Sequence, residues 1–219
     1  RERKSSDVKD ELYVKACITE AEEVTLAFIS VDALSIQPPE VEAIRKRVQE
    51  YTGIAPENMM ISATHTHTGP PVRKGLDGST SDLAKKAADT AILAYQRRRP
   101  AEIRIGTGEE RDILFNRRFW MKDGTLQTNP GSLNPDIDRP AGPIDPEVLV
   151  MRIDGEDGVP IGVVTNYACH TDTVSGTEYS ADYPGEMSRV LKQAMGDHVV
   201  SLFMLGACGD INHIDVTKP

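Results

Sequence analysis

Four of the five histidines in this 219-residue chain follow hydrophobic runs and stand among small polar residues. His65 and His67 lie in Ser62-Ala63-Thr64-His65-Thr66-His67-Thr68-Gly69-Pro70. His170 lies in Asn166-Tyr167-Ala168-Cys169-His170-Thr171-Asp172-Thr173, and His213 closes Gly209-Asp210-Ile211-Asn212-His213. Imidazole is a common zinc ligand, and a catalytic zinc typically takes three protein ligands and keeps one position open. Residues two apart in an extended segment face the same side, so one ion could reach both His65 and His67. A lone His-x-His pair also suits an exposed polar turn, and a histidine ending a strand, as His170 does, also suits a hydrogen-bonded core position.

Other residue types extend the chemistry. Arg117, in Phe115-Asn116-Arg117-Arg118, offers a rigid fork of donors to a developing oxyanion, or to a surface carboxylate. Asp182 and Tyr183, in Ser180-Ala181-Asp182-Tyr183-Pro184-Gly185, could bind or position a substrate, although Asp ahead of Pro-Gly also starts helices. Asp210 or Asp182 could orient a histidine from behind. Cys208, with His213 nearby in sequence, is a further nucleophile arrangement, but its apolar neighbours give no reason for a depressed thiol pKa. His198 follows Gly196-Asp197 and reads as a surface residue outside any site. The chain has no Gly-x-Gly-x-x-Gly motif, phosphate-loop Lys-Ser/Thr or Gly-x-Ser-x-Gly elbow, so nucleotide binding and the serine-hydrolase elbow have no support.

The elements that must carry these residues follow from periodicity. Leu12–Thr19 and Val24–Val31 read as two strands around a Glu-rich turn. Pro38-Pro39-Glu40 starts a helix with Val41, Ile44, Val48 and Tyr51 on one face and a stop at Gly53. Asn58–Ala63 is a short strand that runs into the His65 motif. Gly75–Ser81 reads as a loop, with Ser81 or Asp82 capping a helix whose apolar face uses Leu83, Ala87, Ala91, Ile92 and Tyr95. Ala101–Thr107 and Ile113–Phe115 read as extended, and Lys122–Ile144, rich in Gly, Pro, Asn and Asp, as one long loop, functional or disordered, beside Trp120. Val148–Ile153 and Ile161–Ala168 form a hairpin around Gly155–Gly158. Tyr183–Met195 is helical from Pro184, and Val199–Leu205 is a last strand emptying into a turn over Gly206–His213. Strands alternating with helices predict an α/β fold: a layered mixed sheet with helices on its faces, in one domain spanning residues 1–219. Such sheets bind ligands at the carboxyl ends of their strands, which is where His65, His67, His170 and His213 fall.

Composition narrows the partners. With 39% hydrophobic and 27% charged residues the chain is ordinary for a globular domain, and at net charge -9 it is unsuited to nucleic acid. The basic run Arg97–Arg99 closes a helix, where cations are favoured. No apolar stretch approaches the ~20 residues of a membrane-spanning helix. Three cysteines, Cys17, Cys169 and Cys208, do not make a disulfide framework.

Together, the His65–His67 motif, Asn116-Arg117, the His170 motif and Gly209-Asp210-Ile211-Asn212 resemble, in order and spacing, the motif set of the neutral, non-lysosomal ceramidases over essentially the whole chain. The resemblance implies the amino-terminal catalytic part of a longer protein, secreted or periplasmic. It implies zinc held by His65 and His170, with a glutamate and a tyrosine from sequence beyond Pro219 as further ligands. His67, Arg117 and Asp210 then become catalytic, while Asn116, Asp182, Tyr183 and Asn212 become substrate-binding. The family's nucleophilic serine lies in a Gly-Asp-Val-Ser-Pro-like motif, whereas this chain has Asn212 at that position and His213 after it. The expected function is therefore a zinc-dependent hydrolase of an amide or ester bond in a small-molecule or lipid-like substrate, with activated water as nucleophile. The alternative is a non-catalytic ligand-binding protein that keeps the fold.

Overall fold

The computed structural model describes residues 4–70 and 79–219. The expected first hairpin forms: β1 (Val14–Ala21) and β2 (Val24–Val31) pair antiparallel, with Val14 opposite Val31 and Ala21 opposite Val24. Along β2 the side chains alternate. Ala27, Ile29 and Val31 are buried in a cluster shared with helices, while Phe28 and Ser30 reach the other way, Ser30 Oγ donating to Phe203 O at 2.6 Å. Helix α1 (Pro38–Thr52) tolerates its leading prolines because first-turn N–H groups have no partner within the helix. Glu40 reaches back to accept the Gln37 N–H at 2.7 Å. The helix stops at Gly53, whose φ of 75° is the left-handed conformation that glycine adopts without steric penalty. Ile44 and Val48 are buried as the spacing requires, but Tyr51 is 57% exposed and stacks beneath Arg47 instead.

Strand β3 (Met59–Ala63) runs parallel to β2. Helix α2 (Ser79–Gln96) lies beside α1 on the same sheet face, with Ala84, Ala87, Ala88 and Ala91 buried where small side chains allow close approach. The loop read at Gly75–Ser81 falls outside the described residues as far as residue 78, and from Ser79 the chain is already helical.

The second half begins with β4 (Ala101–Glu109), a long strand exposed along its whole length. The region read as one structureless loop is a correction. After β5 (Phe115–Asn116) comes β6 (Arg118–Met121), which pairs antiparallel with both β7 (Leu126–Thr128) and β8 (Ile137–Pro140) in a small three-stranded sheet. The Gly and Asp residues that suggested a loop make its turn: Gly124 takes φ 85°, and Asp123 accepts from both Thr125 N and Oγ1. Turn composition marks where strands reverse and carries little information about the strands between.

The hairpin of β9 (Glu147–Gly155) and β10 (Pro160–Tyr167) forms as read, followed by α3 (Asp182–Met195) and β11 (Val200–Leu205), which is parallel to β10. The terminal turn contains a short strand, β12 (Ile211–Asn212), paired antiparallel with β5.

The layered α/β class holds, but its sheet is divided. One sheet is ordered β1-β2-β3 and the other β11-β10-β9-β4. They face each other through Val164, Leu202 and Met204 against Cys17 and Phe28. Helices α1 and α2 cover the outer face of the first sheet, and α3 packs outside the second through Tyr183 and Met187 against Phe203 and Tyr167. No helix among the described residues is long and apolar enough to cross a membrane.

Candidate metal centre

Three strand ends meet at one place. β3 ends at Ala63 and the chain continues its pairing for two residues, Thr64 N bonding Val31 O and His65 N bonding Ala33 O. His65 then takes φ 68°, a left-handed conformation uncommon for a residue with a Cβ. The segment therefore does not stay extended, and simple alternation is not what aims His65 and His67 together. They converge because the backbone turns at His65. His67 is then fixed by its N–H to Thr171 O at 3.2 Å. On the other side, β10 ends at Tyr167, and Gly206, just past β11, approaches Ala168 so closely that a Cβ would lie 3.0 Å from the Ala168 Cα. This close approach sets Cys208 beside His170.

The imidazoles of His65, His67 and His170 form one cluster in which the ligand nitrogens all lie within 4.8 Å of one another. His65 Nε2 and His67 Nε2 each stand 3.2 Å from His170 Nε2. Two tautomers are dictated by neighbours. His65 Nδ1 faces Leu34 O at 2.7 Å and His170 Nδ1 faces Cys208 O at 3.2 Å; a carbonyl oxygen only accepts, so both Nδ1 atoms carry the proton. Both Nε2 atoms are then bare lone pairs pointed at each other. That arrangement is repulsive without a cation between them, and the two carbonyls are the partners that commonly orient metal-bound histidines. Nitrogens ~2.0–2.1 Å from a tetrahedral zinc stand about 3.3–3.4 Å apart, close to the spacing here, so the donor set fits a metal ion.

Electrostatics agree. Partial desolvation of its ring against the cluster, then the charge of His65, lowers the His67 pKa below its ordinary 6.5, and burial lowers that of His170. Arg117 pushes both down further while Asp172 pulls both back up. Neutral imidazoles are the metal-binding form. His170 is buried, His65 half-buried and His67 exposed, so the cluster opens to solvent on the His67 side.

The remaining residues read from sequence are brought near, with varied employment. Arg117 is half-buried and donates Nε and Nη2 to Gly209 O at 3.1 and 2.8 Å, which fixes a guanidinium whose charge His67 and His170 both feel. Asn116 is buried and donates to Asp210 Oδ2 at 3.1 Å and Pro143 O at 3.2 Å, while its Oδ1 accepts from Arg118 N. Asp182, 3% exposed and at φ 56°, accepts from Thr173 Oγ1, Val174 N and Tyr183 N, which pins the loop after His170 to the start of α3. Tyr183 donates its hydroxyl to Cys169 O at 2.7 Å and packs edge-on against Phe203. Asn212, 1% exposed, donates to Asn129 Oδ1 and accepts from Ile214 N. The histidine-orienting acceptors are thus the Leu34 and Cys208 carbonyls, while Asp182 and Asp210 are engaged elsewhere. Cys208 Sγ is 3.5 Å from His170 Nδ1, but burial raises its pKa, which opposes a nucleophilic thiolate. His198 bonds Pro160 O at the surface, as read. Asp172 was not singled out as a site residue; its only signal was its place two residues after His170.

These features define a layered α/β protein with a three-histidine, metal-type cluster at its strand ends. No family model matches the chain. In sequence, it is 26% identical over 144 residues to neutral ceramidase B of Dictyostelium discoideum, a match covering 60% of this chain and 19% of that protein. In structure, it superimposes on a ceramidase complexed with C2 at a TM-score of 0.77 and 22% identity, covering 97% of this chain and 34% of the other. The neutral ceramidase from Pseudomonas aeruginosa gives a TM-score of 0.78 at 21% identity, covering 99% of this chain and 36% of that one. The chain is therefore similar to the neutral ceramidases in sequence and in fold, and it spans a minor part of the length of each of these relatives.

Proposed function

We propose that this chain is the metal-binding part of a hydrolase that cleaves an amide or ester bond, with zinc held by His65 and His170 and with His67 as a third ligand. The observation that carries this reading is the pair of bare Nε2 atoms 3.2 Å apart, each with its only N–H engaged at Nδ1. A bound zinc supplies Lewis acidity, polarising an acyl oxygen and acidifying water. Arg117, anchored on Gly209, presents positive charge to the oxyanion that develops on the acyl group. Asn212 carries no hydroxyl and is sealed within the sheet, so water is the nucleophile. The relatives named as ceramidases favour an acylated, lipid-like substrate, and the reading carries with it the expected secreted or periplasmic location.

Plasma mass spectrometry on protein purified without added metal tests the site. About one zinc per chain, lost in both His65→Ala and His170→Ala, is the expected result. Folded protein that takes up no zinc even when supplied would overturn the metal reading and favour a ligand-binding role.

A further inference from the structure

His213 Nδ1 and Asp172 Oδ1 are 3.2 Å apart. Both atoms are shut off from solvent, and neither has a hydrogen-bond partner among the described residues. The contact has the distance of an ion pair but not the direction of a hydrogen bond. An imidazole nitrogen and a carboxylate oxygen at this distance without an aligned hydrogen bond match the loose geometry of acid–base pairs without substrate. The side chains are 32% and 25% exposed, so the far side of the imidazole is open to solvent.

Asp172 borders the histidine cluster and carries His213 with it. Asp172 follows His170 by two residues, its charge acts on both His67 and His170, and the intervening Thr171 is fully buried, donating to Thr64 O at 2.7 Å while its carbonyl holds the His67 N–H. His213 comes from a different element, directly after β12, whose pairing with β5 also places Arg117.

From this geometry we infer that His213 and Asp172 form a proton-transfer dyad serving the reaction at the histidine cluster, an inference that rests on the proposed hydrolase reading. With its three imidazoles committed to metal, the cluster has no free base of its own, and the dyad supplies one. As the water oxygen bonds the acyl carbon, one of its O–H bonds breaks and His213 Nε2 takes the proton. When the bond from the acyl carbon to the leaving nitrogen or oxygen breaks, Nε2 returns that proton to the leaving atom. Acid and amine or alcohol depart, one water is consumed, and the imidazole is restored. Asp172, beside Nδ1, stabilises the imidazolium. His213 is the catalytic residue and Asp172 its positioning residue.

The test compares the parent chain with His213→Ala and Asp172→Asn on a nitrophenyl ester and an anilide. Metal content is measured on each, together with the rate of histidine acylation by diethylpyrocarbonate mapped by mass spectrometry. The expected result is a loss of about 10²–10⁴-fold in kcat for His213→Ala, with KM and zinc content kept and part of the rate restored by added imidazole. In Asp172→Asn, acylation of His213 slows while that of His198 is unchanged. Parental kcat in His213→Ala, or a loss that imidazole does not restore, overturns the inference. If the parent cleaves neither probe, the hydrolase reading fails by itself. The dyad then stands or falls on whether acylation of His213 depends on Asp172.

Discussion

At the scale of single residues, the burial of ionisable groups governs what can be measured. Burial lowers the pKa of His67 and His170 below 6.5, so in metal-free protein the folded state resists a proton that the unfolded chain accepts. Their contribution to stability is complete above about pH 6.5 and is lost as pH falls through the folded-state values. The melting temperature of metal-free protein should therefore drop on acidification below that point, and thermal scans across a pH series check it. Asp182 is a buried carboxylate with three donors on it. Asp182→Ala leaves those donors unpaired and should cost about 2–4 kcal/mol in denaturant unfolding. The thiols tell a parallel story: burial raises Cys17 to about 11 and Cys169 to about 12. Alkylation of folded protein at neutral pH should accordingly be slow, and it should become fast only after denaturation.

At the scale of elements, the centre depends on how closely two strand ends meet. Gly206 lies against Ala168, whose Cα and Cβ would stand 3.0 Å from an added Cβ, tighter than side chains normally pack. Gly206→Ala must push the ends of β10 and β11 apart, and with them His170 from the Cys208 carbonyl that orients it. The expected outcome is a loss of about 1–3 kcal/mol in stability together with weaker zinc binding, read by thermal unfolding and metal titration. Tyr183→Phe is the gentler companion. It removes only the hydroxyl bond to Cys169 O, and should cost about 1 kcal/mol while zinc stoichiometry is retained.

At the scale of the molecule, the second of the two facing sheets has an uncovered margin at β4. β4 is an edge strand exposed along its length, with Ile105 74% and Ile103 46% exposed. Long apolar edges invite pairing with other chains. Ile105→Lys should leave unfolding within about 0.5 kcal/mol of the parent while reducing self-association, as measured by sedimentation at rising concentration.

Local pattern determined a good deal by itself. The alternation of Leu12–Thr19 and the apolar run of Val24–Val31 marked β1 and β2, and the run is apolar because β2 is covered on both faces, by the helices and by the second sheet. The Pro-Pro-Glu start and Gly53 stop fixed α1, since helix ends have local chemistry that needs no distant partner. The placement of His65, His67 and His170 after strands was also legible, because polar residues that abruptly follow a buried run stand at a sheet's rim. What sequence could not supply is anything set by approach between distant segments. The left-handed turn at His65 and the carbonyls of Leu34 and Cys208 that choose its and His170's tautomers belong to tertiary contacts across 31 and 38 residues. So does the facing of His213 toward Asp172, where nearness in sequence had suggested Cys208 instead. Chain spacing determines which side chains reach the rim; packing of the two sheets decides which nitrogen, oxygen and lone pair meet there.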